Sequence, residues 1–299
     1  MRVVRTVAEL REALAPARRA GQRIGLVPTM GALHEGHLSL VARARADCSL
    51  VVVSLFVNPA QFNERSDLDR YPRDEQRDRE LLAEAGADLL FAPSVEEVYP
   101  AGFATAVEVL GVTERLEGEA RGPEHFRGVT TVVAKLLCMA LPDAAYFGQK
   151  DAQQLVVIRR LAADLDLPVA IESVPTVREA DGLAMSSRNA LLSPSERRRA
   201  RSLSAGLRAA ERLAGHGECD AGALLAATAA ELERAGVQPE YVALVDPETF
   251  EPLTRLDEKA LLALAARVGE VRLIDNTLLA AAAPARDANH DEEVQACSA

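Results

Sequence analysis

Two histidines in a glycine-containing segment are the first residues of the chain that could carry out chemistry. His34 and His37 are three residues apart, so they lie on one side of a helical turn. Their N–H groups can donate hydrogen bonds to phosphate oxygens, and Gly31 and Gly36 allow the backbone to approach a ligand closely. A metal site is a rival interpretation, but an H-E-x-x-H motif has one more residue between its histidines, and no third ligand stands nearby. Two polar loop histidines explain this segment, taken alone, equally well.

Two further segments follow apolar runs and carry uncharged amides and a lysine. In segment 56–62, Asn58 and Gln61 can bind a hydroxyl or carboxylate oxygen through directed hydrogen bonds. In segment 147–154, Lys150 is a compact cation suited to phosphate, and Gln154 can face the same space one turn farther on. A capped loop and an ordinary strand–helix turn explain these two stretches equally well when each is taken alone.

A fourth segment, 177–188, ends in two hydroxyls and a guanidinium, Ser186, Ser187 and Arg188. Such a loop can wrap a triphosphate, because arginine contributes paired donors, and it could close over a site. A polar linker explains its composition but not its coincidence with the other three segments. The chain contains no G-x-x-x-x-G-K-[ST] motif and no G-x-G-x-x-G motif opening a helix after a strand, which argues against a standard P-loop or dinucleotide site.

The periodicity of apolar residues predicts the elements that must position these segments. Buried strands are predicted at 24–30, 50–57, 88–92, 145–148 and 169–177. Helices are predicted at 7–20, 38–48, 74–85, 129–140 and 153–165. Near-continuous apolar strands separated by helices indicate a parallel sheet covered on both faces. Ligands of such sheets usually lie beyond the carboxyl ends of the strands.

The pattern changes after about residue 177. Ser193, Pro194 and Glu196 predict a capped helix start, followed by a helix to about residue 214. A second helix is predicted at 221–235, and strands at 241–245, 261–266 and 271–276. We therefore predict a Rossmann-like domain over 1–176 and a smaller α+β lid domain over 177–283. The small and polar residues 284–299 are predicted to be a disordered tail.

Composition limits the classes of partner. The chain has 299 residues and a formal net charge of −11, from 34 basic and 45 acidic residues. This balance argues against a broad nucleic-acid surface, although a local positive cluster could still bind a small anion. No apolar run approaches the ~20 residues that span a bilayer, and no secretory signal is recognisable, so we predict a cytoplasmic protein without a membrane partner. The four cysteines form no metal-binding spacing, and Cys138 is predicted to pack in the core.

Several motifs, taken together, resemble those of one enzyme family, the pantothenate synthetases. The motifs lie at 28–37, 56–62, 71–73, 125–129, 147–151 and 174–189. They follow the family's order over about residues 1 to 280. The resemblance implies a Rossmann-like nucleotidyltransferase domain with a smaller C-terminal domain, a homodimer and Mg²⁺. The implied reaction joins pantoate to β-alanine through a pantoyl-adenylate, and converts ATP to AMP and pyrophosphate.

The resemblance also implies roles for individual residues. The implied catalytic residues are His37, as the proton donor, with His34, Lys150 and Arg188. The implied ATP-binding residues are Pro28, Met30, Gly31, Ala32, Leu33, His34, Glu35, Gly36, His37, Gly148, Gln149, Lys150, Asp151, Val177, Met185, Ser186, Ser187 and Arg188. The implied substrate-binding residues are Gln61, Gln154, Asn58 and Phe56. The chain departs from the family at Gln149, where the family usually has glutamate, and no metal ligand is assigned.

Three other classes of function share part of this pattern. A cytidylyl- or adenylyltransferase would share the histidine motif but would use a phosphorylated substrate and no amine acceptor. A metal hydrolase built on His34, Glu35 and His37 would bind metal without ATP. A non-enzymatic nucleotide-binding protein would bind ATP but release no pyrophosphate. A substrate screen for pyrophosphate release and a metal analysis would distinguish these classes.

Overall fold

The strands of the chain form two separate sheets. The computed structural model describes residues 1–62 and 65–282, so the tail predicted at 284–299 lies outside the described residues. The parallel six-stranded sheet contains β1 (Arg2–Val4), β2 (Ile24–Thr29), β3 (Leu50–Leu55), β4 (Leu89–Phe91), β5 (Ala144–Gly148) and β6 (Ala170–Val174). The antiparallel three-stranded sheet contains β7 (Pro239–Val245), β8 (Lys259–Val268) and β9 (Val271–Ala280).

Helices connect these strands and cover the sheets. Those of the described residues are α1 (Val7–Arg19), α2 (Glu35–Asp47), α3 (Arg65–Arg70), α4 (Glu75–Glu84), α5 (Val95–Val98), α6 (Glu117–Arg121), α7 (Pro123–Ala140), α8 (Ala152–Asp164), α9 (Pro194–Gly215) and α10 (Ala221–Arg234). Short 3₁₀ turns lie at Pro59–Gln61, Gln149–Asp151 and Ser187–Leu191. The predicted capping box of α9 is confirmed, because the Ser193 side chain accepts from the Glu196 N–H and the Glu196 carboxylate accepts from the Ser193 N–H.

The order of strands in the parallel sheet creates a crevice at its centre. That order is β1-β4-β3-β2-β5-β6, and the described pairs are all parallel. From β2 the chain adds β3 and β4 on one side, and later adds β5 and β6 on the other. Ligands of open α/β sheets bind at the point where the order reverses, here between the carboxyl ends of β2 and β5.

Pro28 explains why β2 and β5 separate at that point. Their pairing ends at Leu26 and Ala145, although β5 continues to Gly148. In a strand, the backbone groups of every second residue point to the same neighbouring strand. In β2, Ile24 O accepts from Asp143 N, just before β5, so Ile24 points toward β5. Pro28 therefore faces β5 as well, but proline has no N–H with which to extend the ladder. The two strands part where the first and third polar segments begin.

Buried clusters lie on both faces of the parallel sheet, in agreement with the predicted fold class. Leu26 of β2 packs in the cluster formed with α1, α7 and α8, whereas the next residue, Val27, packs in the cluster formed with α2 and α4. A separate cluster joins α9 and α10 to the antiparallel sheet, with Leu203 and Leu262 among its members. A smaller cluster connects the two sheets through Val156 of α8 and neighbouring side chains of β8.

Several predictions of detail were wrong. The last parallel strand was predicted to be buried, but β6 lies at the edge of the sheet and only Val174 in it is buried. The three-residue strand β1 was not predicted, because it is too short for a periodic signal. Helix α7 begins at Pro123, before the predicted start. Cys138 is exposed, since it lies on the outer side of α7 while Leu137 and Met139 face the core.

Within the described ranges, no helix combines the length and hydropathy that crossing a membrane requires.

Candidate active site

The turn between β2 and α2 is held by a buried carboxylate. Gly31 and Ala32 both have positive φ, 89° and 51°, a conformation that favours glycine and costs energy for alanine. The carboxylate of Asp78, in α4, accepts hydrogen bonds from the N–H groups of Ala32 at 3.0 Å and Leu33 at 2.8 Å. Burial raises the pKa of Asp78, while these two N–H groups oppose that change. Asp78 therefore fixes the path of the chain that leads into the histidines.

The hydrogen bonds of the two histidines determine their tautomers. His34 Nδ1 accepts from Gly36 N at 3.1 Å, and His37 Nδ1 accepts from His34 N at 3.4 Å, which together cap the start of α2. Because each Nδ1 is an acceptor, a neutral ring carries its proton on Nε2. The two rings lie 4.2 Å apart between centroids. A Cβ on Gly36 would come within 2.9 Å of the His34 ring, so glycine is needed for this arrangement.

The surroundings of both rings favour the neutral form of the imidazole. Burial lowers the pKa of His37 to about 3, assisted by the neighbouring His34 and Lys150 and opposed by Asp151. The pKa of His34 is lowered by burial first and then by the charge of Lys150, with Asp151 and Glu179 opposing. In this form each ring carries an Nε2–H that is not used in the cap of α2. The histidine turn also lies beside the fourth segment, since a Cβ at Gly36 would be 3.7 Å from Met185 Cβ.

The second segment places Gln61 against Met30. Gln61 Nε2 lies 2.9 Å from the sulfur of Met30, and Gln61 Oε1 accepts from Asn58 Nδ2 at 3.1 Å. Asn58 is 1% exposed, donates also to Gly128 O, and accepts from the Tyr99 hydroxyl. Phe56 is buried as well. Asn58 and Phe56 were predicted to bind substrate, and both are buried, while Asn58 also holds the side chain of Gln61.

Helix α7 supports the same turn from the other side. His125 Nδ1 lies 2.9 Å from Gln61 O, and Gly128 packs directly against the Pro59–Gln61 turn. A Cβ on Gly128 would lie 2.2 Å from Ala60 O and 2.8 Å from Gln61 N. Only glycine permits this approach of helix to backbone. The sequence motif at 125–129 therefore has a physical reason, because it shapes the turn that carries Gln61.

The third segment brings Lys150 to the other side of the crevice. Lys150 follows β5 in the Gln149–Asp151 turn, and its side chain is 21% exposed. Its Nζ lies 3.6 Å from the Asp151 carboxylate. Gln154 lies in the first turn of α8 and is half-buried. The Gln149–Asp151 turn and α8 therefore place Lys150 and Gln154 near the carboxyl end of β5.

The fourth segment is an ordered loop attached to the antiparallel sheet. Met185 N donates to Val177 O at 2.9 Å, and Ser186 Oγ accepts from Arg188 N at 3.2 Å to cap the following 3₁₀ turn. Arg178 forms a two-fold hydrogen-bonded ion pair with Asp275 of β9, at 2.6 and 3.0 Å. Arg178 thus attaches the loop to the second sheet. Met185 of the same loop lies near Gly36, between the two histidines.

A cleft between the two sheets is lined by residues of the third and fourth segments. Its lining includes Lys150, Asp151, Ser186 and Arg188, which the sequence predicted, together with Arg121 and Arg272, which it did not. Arg272 and Asp275 are charged residues within one predicted strand, a signal that could have identified Arg272. Asp78 was missed because a single aspartate in a charged helix carries no signal. The cleft gathers positive charge in a chain whose net charge is −11, as anion binding requires.

Comparison with known proteins places the chain in a family. The family model described as pantoate-beta-alanine ligase matches residues 2–278. The chain is 52% identical over 280 residues to a pantothenate synthetase from Moorella thermoacetica, covering 93% of this chain and 99% of that protein. It is 54% identical over 277 residues to one from Rhizorhabdus wittichii, covering 92% and 98% of the two chains.

Solved structures agree in fold. The pantothenate synthetase from Thermus thermophilus superposes with a TM-score of 0.88 at 52% identity, covering 93% of this chain and 99% of that chain. The pantoate-beta-alanine ligase from Francisella tularensis, solved in complex with beta-gamma ATP and beta-alanine, superposes with a TM-score of 0.77 at 34% identity, covering 93% and 97%. The fold is thus the predicted α/β class, a nucleotidyltransferase-like domain with a smaller C-terminal unit. The chain belongs to the pantoate-beta-alanine ligase family.

Proposed function

We propose that this protein joins pantoate to β-alanine to form pantothenate, using ATP and passing through a pantoyl-adenylate. The observation that carries the proposal is the meeting of the four segments at the crevice between β2 and β5. Gln61 of the second segment contacts the sulfur of Met30 in the first, and Lys150 of the third segment and Arg188 of the fourth line one cleft between the two sheets. The family to which the chain belongs supports the same reaction.

In the first step, a pantoate carboxylate oxygen attacks the α-phosphorus of ATP, and the bond to the bridging oxygen of pyrophosphate breaks. A carboxylate is already a nucleophile at pH 7, so this step needs no general base. The difficulty is the approach of two anions. Lys150 and Arg188 offset that repulsion, and the imidazole N–H groups of His34 and His37 stabilise the charge that develops on the phosphate oxygens.

In the second step, the neutral amine of β-alanine attacks the acyl carbon, and AMP leaves. The N–C bond forms as the acyl–oxygen bond breaks, and one amine proton passes to the phosphate of the departing AMP. Gln61 binds both pantoate and β-alanine, and Gln154 binds pantoate. Water must be kept out, because it would hydrolyse the adenylate. The 177–188 loop and the C-terminal unit, taken as a lid domain over 177–283, would provide that closure.

Magnesium would accompany ATP. The described residues contain no group of three or more His, Cys, Asp or Glu side chains that could enclose a metal, so the metal-hydrolase interpretation lacks a third ligand there. Mg²⁺ needs no such group, because it is usually held by one or two carboxylates together with phosphate oxygens and water. Asp151 in the cleft fits that requirement. When bound, the ion would reduce the negative charge of the triphosphate.

Three further properties belong to the proposal. The two large clusters of the parallel sheet include residues up to Val174, and the large cluster of the antiparallel sheet begins at Leu183, which supports a boundary at residue 177 between the two domains. A homodimer is proposed from the family resemblance. A cytoplasmic location is proposed because ATP and the biosynthetic reaction belong there.

Pyrophosphate release tests the function. Purified protein with ATP and Mg²⁺ should release pyrophosphate continuously only when pantoate and β-alanine are both present. Pantoate alone should give at most one equivalent per site, because the adenylate then stays bound. Continuous release with a phosphorylated substrate and no amine would instead identify a nucleotidyltransferase, and ATP binding without release would identify a non-enzymatic nucleotide-binding protein.

Alanine at Gly128 tests the support of Gln61. In Gly128→Ala, the new methyl group must displace the Pro59–Gln61 backbone, because its nearest contact would be 2.2 Å. We expect kcat/KM for pantoate to fall by about 10- to 100-fold, as small displacements at a site can cause, with a loss of stability of about 1–3 kcal/mol. Steady-state kinetics and thermal unfolding measure the two effects.

Gly215→Ala is the matched control, because a Cβ at Gly215 would meet nothing within 4 Å. This variant should retain wild-type kinetics. Wild-type kinetics in Gly128→Ala would contradict the role assigned to the contact between α7 and the turn.

A further inference from the structure

Asn276 connects the antiparallel sheet to the backbone of the lysine turn. It lies in β9, is 5% exposed, and is 126 residues away from Lys150 in the sequence. Its Nδ2 donates to Gln149 O at 3.0 Å and to Lys150 O at 2.8 Å. Both amide hydrogens of Asn276 are thus used on two consecutive carbonyl groups, which restricts the orientation of the turn.

Gln149 completes a chain of directed hydrogen bonds to Asn276. The Ser173 hydroxyl donates to Gln149 Oε1 at 3.0 Å, and Gln149 Nε2 faces Asn276 Oδ1 at 3.5 Å. The side-chain nitrogen of Asn276 binds the backbone, which directs its side-chain oxygen toward Gln149. This oxygen can only accept a hydrogen bond, and the side-chain amide of Gln149 can donate one. A glutamate carboxylate at position 149 has no hydrogen to donate. Gln149, the residue at which the chain departs from its family, therefore provides the donor that the side-chain oxygen of Asn276 needs.

Asn276 is itself held from the side of β9. Its N–H donates to Asp275 Oδ1 at 2.8 Å, and Asp275, which is 2% exposed, is paired with Arg178 of the 177–188 loop. The position of Asn276 is thus tied to the same loop that brings Ser186 and Arg188 to the cleft. A movement of the C-terminal unit would be transmitted to the Lys150 turn through this contact.

We propose that Asn276 is a positioning residue for Lys150, and that Gln149 orients its side-chain amide. Asn276 acts on the reaction only through the lysine turn, so the proposal rests on the role given to Lys150 in the proposed function. Under this proposal the C-terminal unit, which contains Asn276, contributes to adenylate formation as well as closing over the substrates.

A double-mutant cycle tests the proposal. The rate of pyrophosphate release with ATP and pantoate is measured in single-turnover experiments for wild type, Asn276→Ala, Lys150→Ala and the double variant. Asn276→Ala should slow this step by about 10- to 100-fold, because it releases the turn. In the Lys150→Ala background the same change should have little further effect, since the residue through which it acts is gone.

A merely structural role of Asn276 would give losses that multiply in the double variant, and that result would overturn the proposal. An unchanged rate in Lys150→Ala would overturn the proposed role of Lys150 as well, so the two failures are distinguishable. Thr277→Ala is the control. Thr277 is the next residue in β9, and its side chain pairs instead with Glu211. This variant should keep the wild-type rate.

Gln149→Glu is the second variant, at a half-buried position where folding is less at risk. It installs the residue usual in the family, yet it removes the donor to Asn276 Oδ1. We expect the first step to slow by about 2- to 10-fold, the effect of one lost hydrogen bond, and the loss to disappear in the Lys150→Ala background. An equal or faster rate in Gln149→Glu would overturn the orienting role of Gln149.

Discussion

Lys150→Ala should reduce the rate of adenylate formation by about 100- to 1,000-fold, the effect of removing one preorganised group that stabilises transition-state charge. The expectation follows from the position of Lys150 beside the neutral histidines, since its charge lowers the pKa of both rings. Two neutral imidazoles cannot replace a cation when pantoate and triphosphate approach each other. Pyrophosphate release in a single turnover with ATP and pantoate measures the effect.

Lys259→Ala is the matched control for charge. Lys259 is an exposed lysine at the start of β8, so its removal changes the net charge equally but leaves the cleft intact. Its rate should equal that of wild type. A normal rate in Lys150→Ala would mean that Arg188 or the bound cation carries the stabilisation, and the role of Lys150 would have to be abandoned.

Glu117→Gln should produce the largest loss of stability, and the loss should depend on pH. Glu117 in α6 is bound by Arg272 of β9 through two hydrogen bonds, at 2.8 and 2.7 Å, and also by Arg121 and the Tyr241 hydroxyl. Burial by itself would raise the pKa of Glu117, but Arg272 and the other partners outweigh it and lower the pKa to about 2. The ion pair joins the two units of the protein.

The direction of the pH dependence follows from that shift. A carboxyl with an ordinary pKa of 4.5 in the unfolded chain and about 2 in the folded protein stabilises the fold fully above about pH 5. This contribution, on the order of 3 kcal/mol, is lost as the pH falls toward 2. The partners do not titrate in this range, because the pKa values of Arg272 and Tyr241 are both raised.

Urea unfolding of wild type and Glu117→Gln at a series of pH values measures the effect. The difference in the free energy of unfolding should be greatest at neutral pH and should shrink as the pH approaches 2, because a protonated glutamate resembles glutamine. A difference that stays constant with pH would attribute the loss to packing and not to charge. Glu124→Gln is the control, since Glu124 is 63% exposed in its pair with Arg127 and should contribute little.

The local parts of the site could be predicted from the sequence because they depend on short-range rules. Strand and helix periods and the capping box at Ser193 are properties of neighbouring residues. The residue types of the His34–His37 and Lys150 segments, on which the predicted phosphate binding rests, are local in the same way. The cap formed by the two histidines is local as well, because each Nδ1 accepts from a backbone N–H within three residues. These features define the fold class and the kind of reaction.

Only the tertiary structure decided which residues support the reacting groups. Asp78, Arg272 and Asn276 reach the site from other elements, and their sequence separation from the residues they hold left no local pattern to read. Asn58, predicted beside the substrate, proved to be buried, because exposure depends on what packs over a residue and not on its type. The sequence by itself determined the chemical groups and the elements that carry them. The order of the strands and the docking of the second sheet determined how those groups meet, because such contacts arise only when distant parts of the chain bury their apolar faces together.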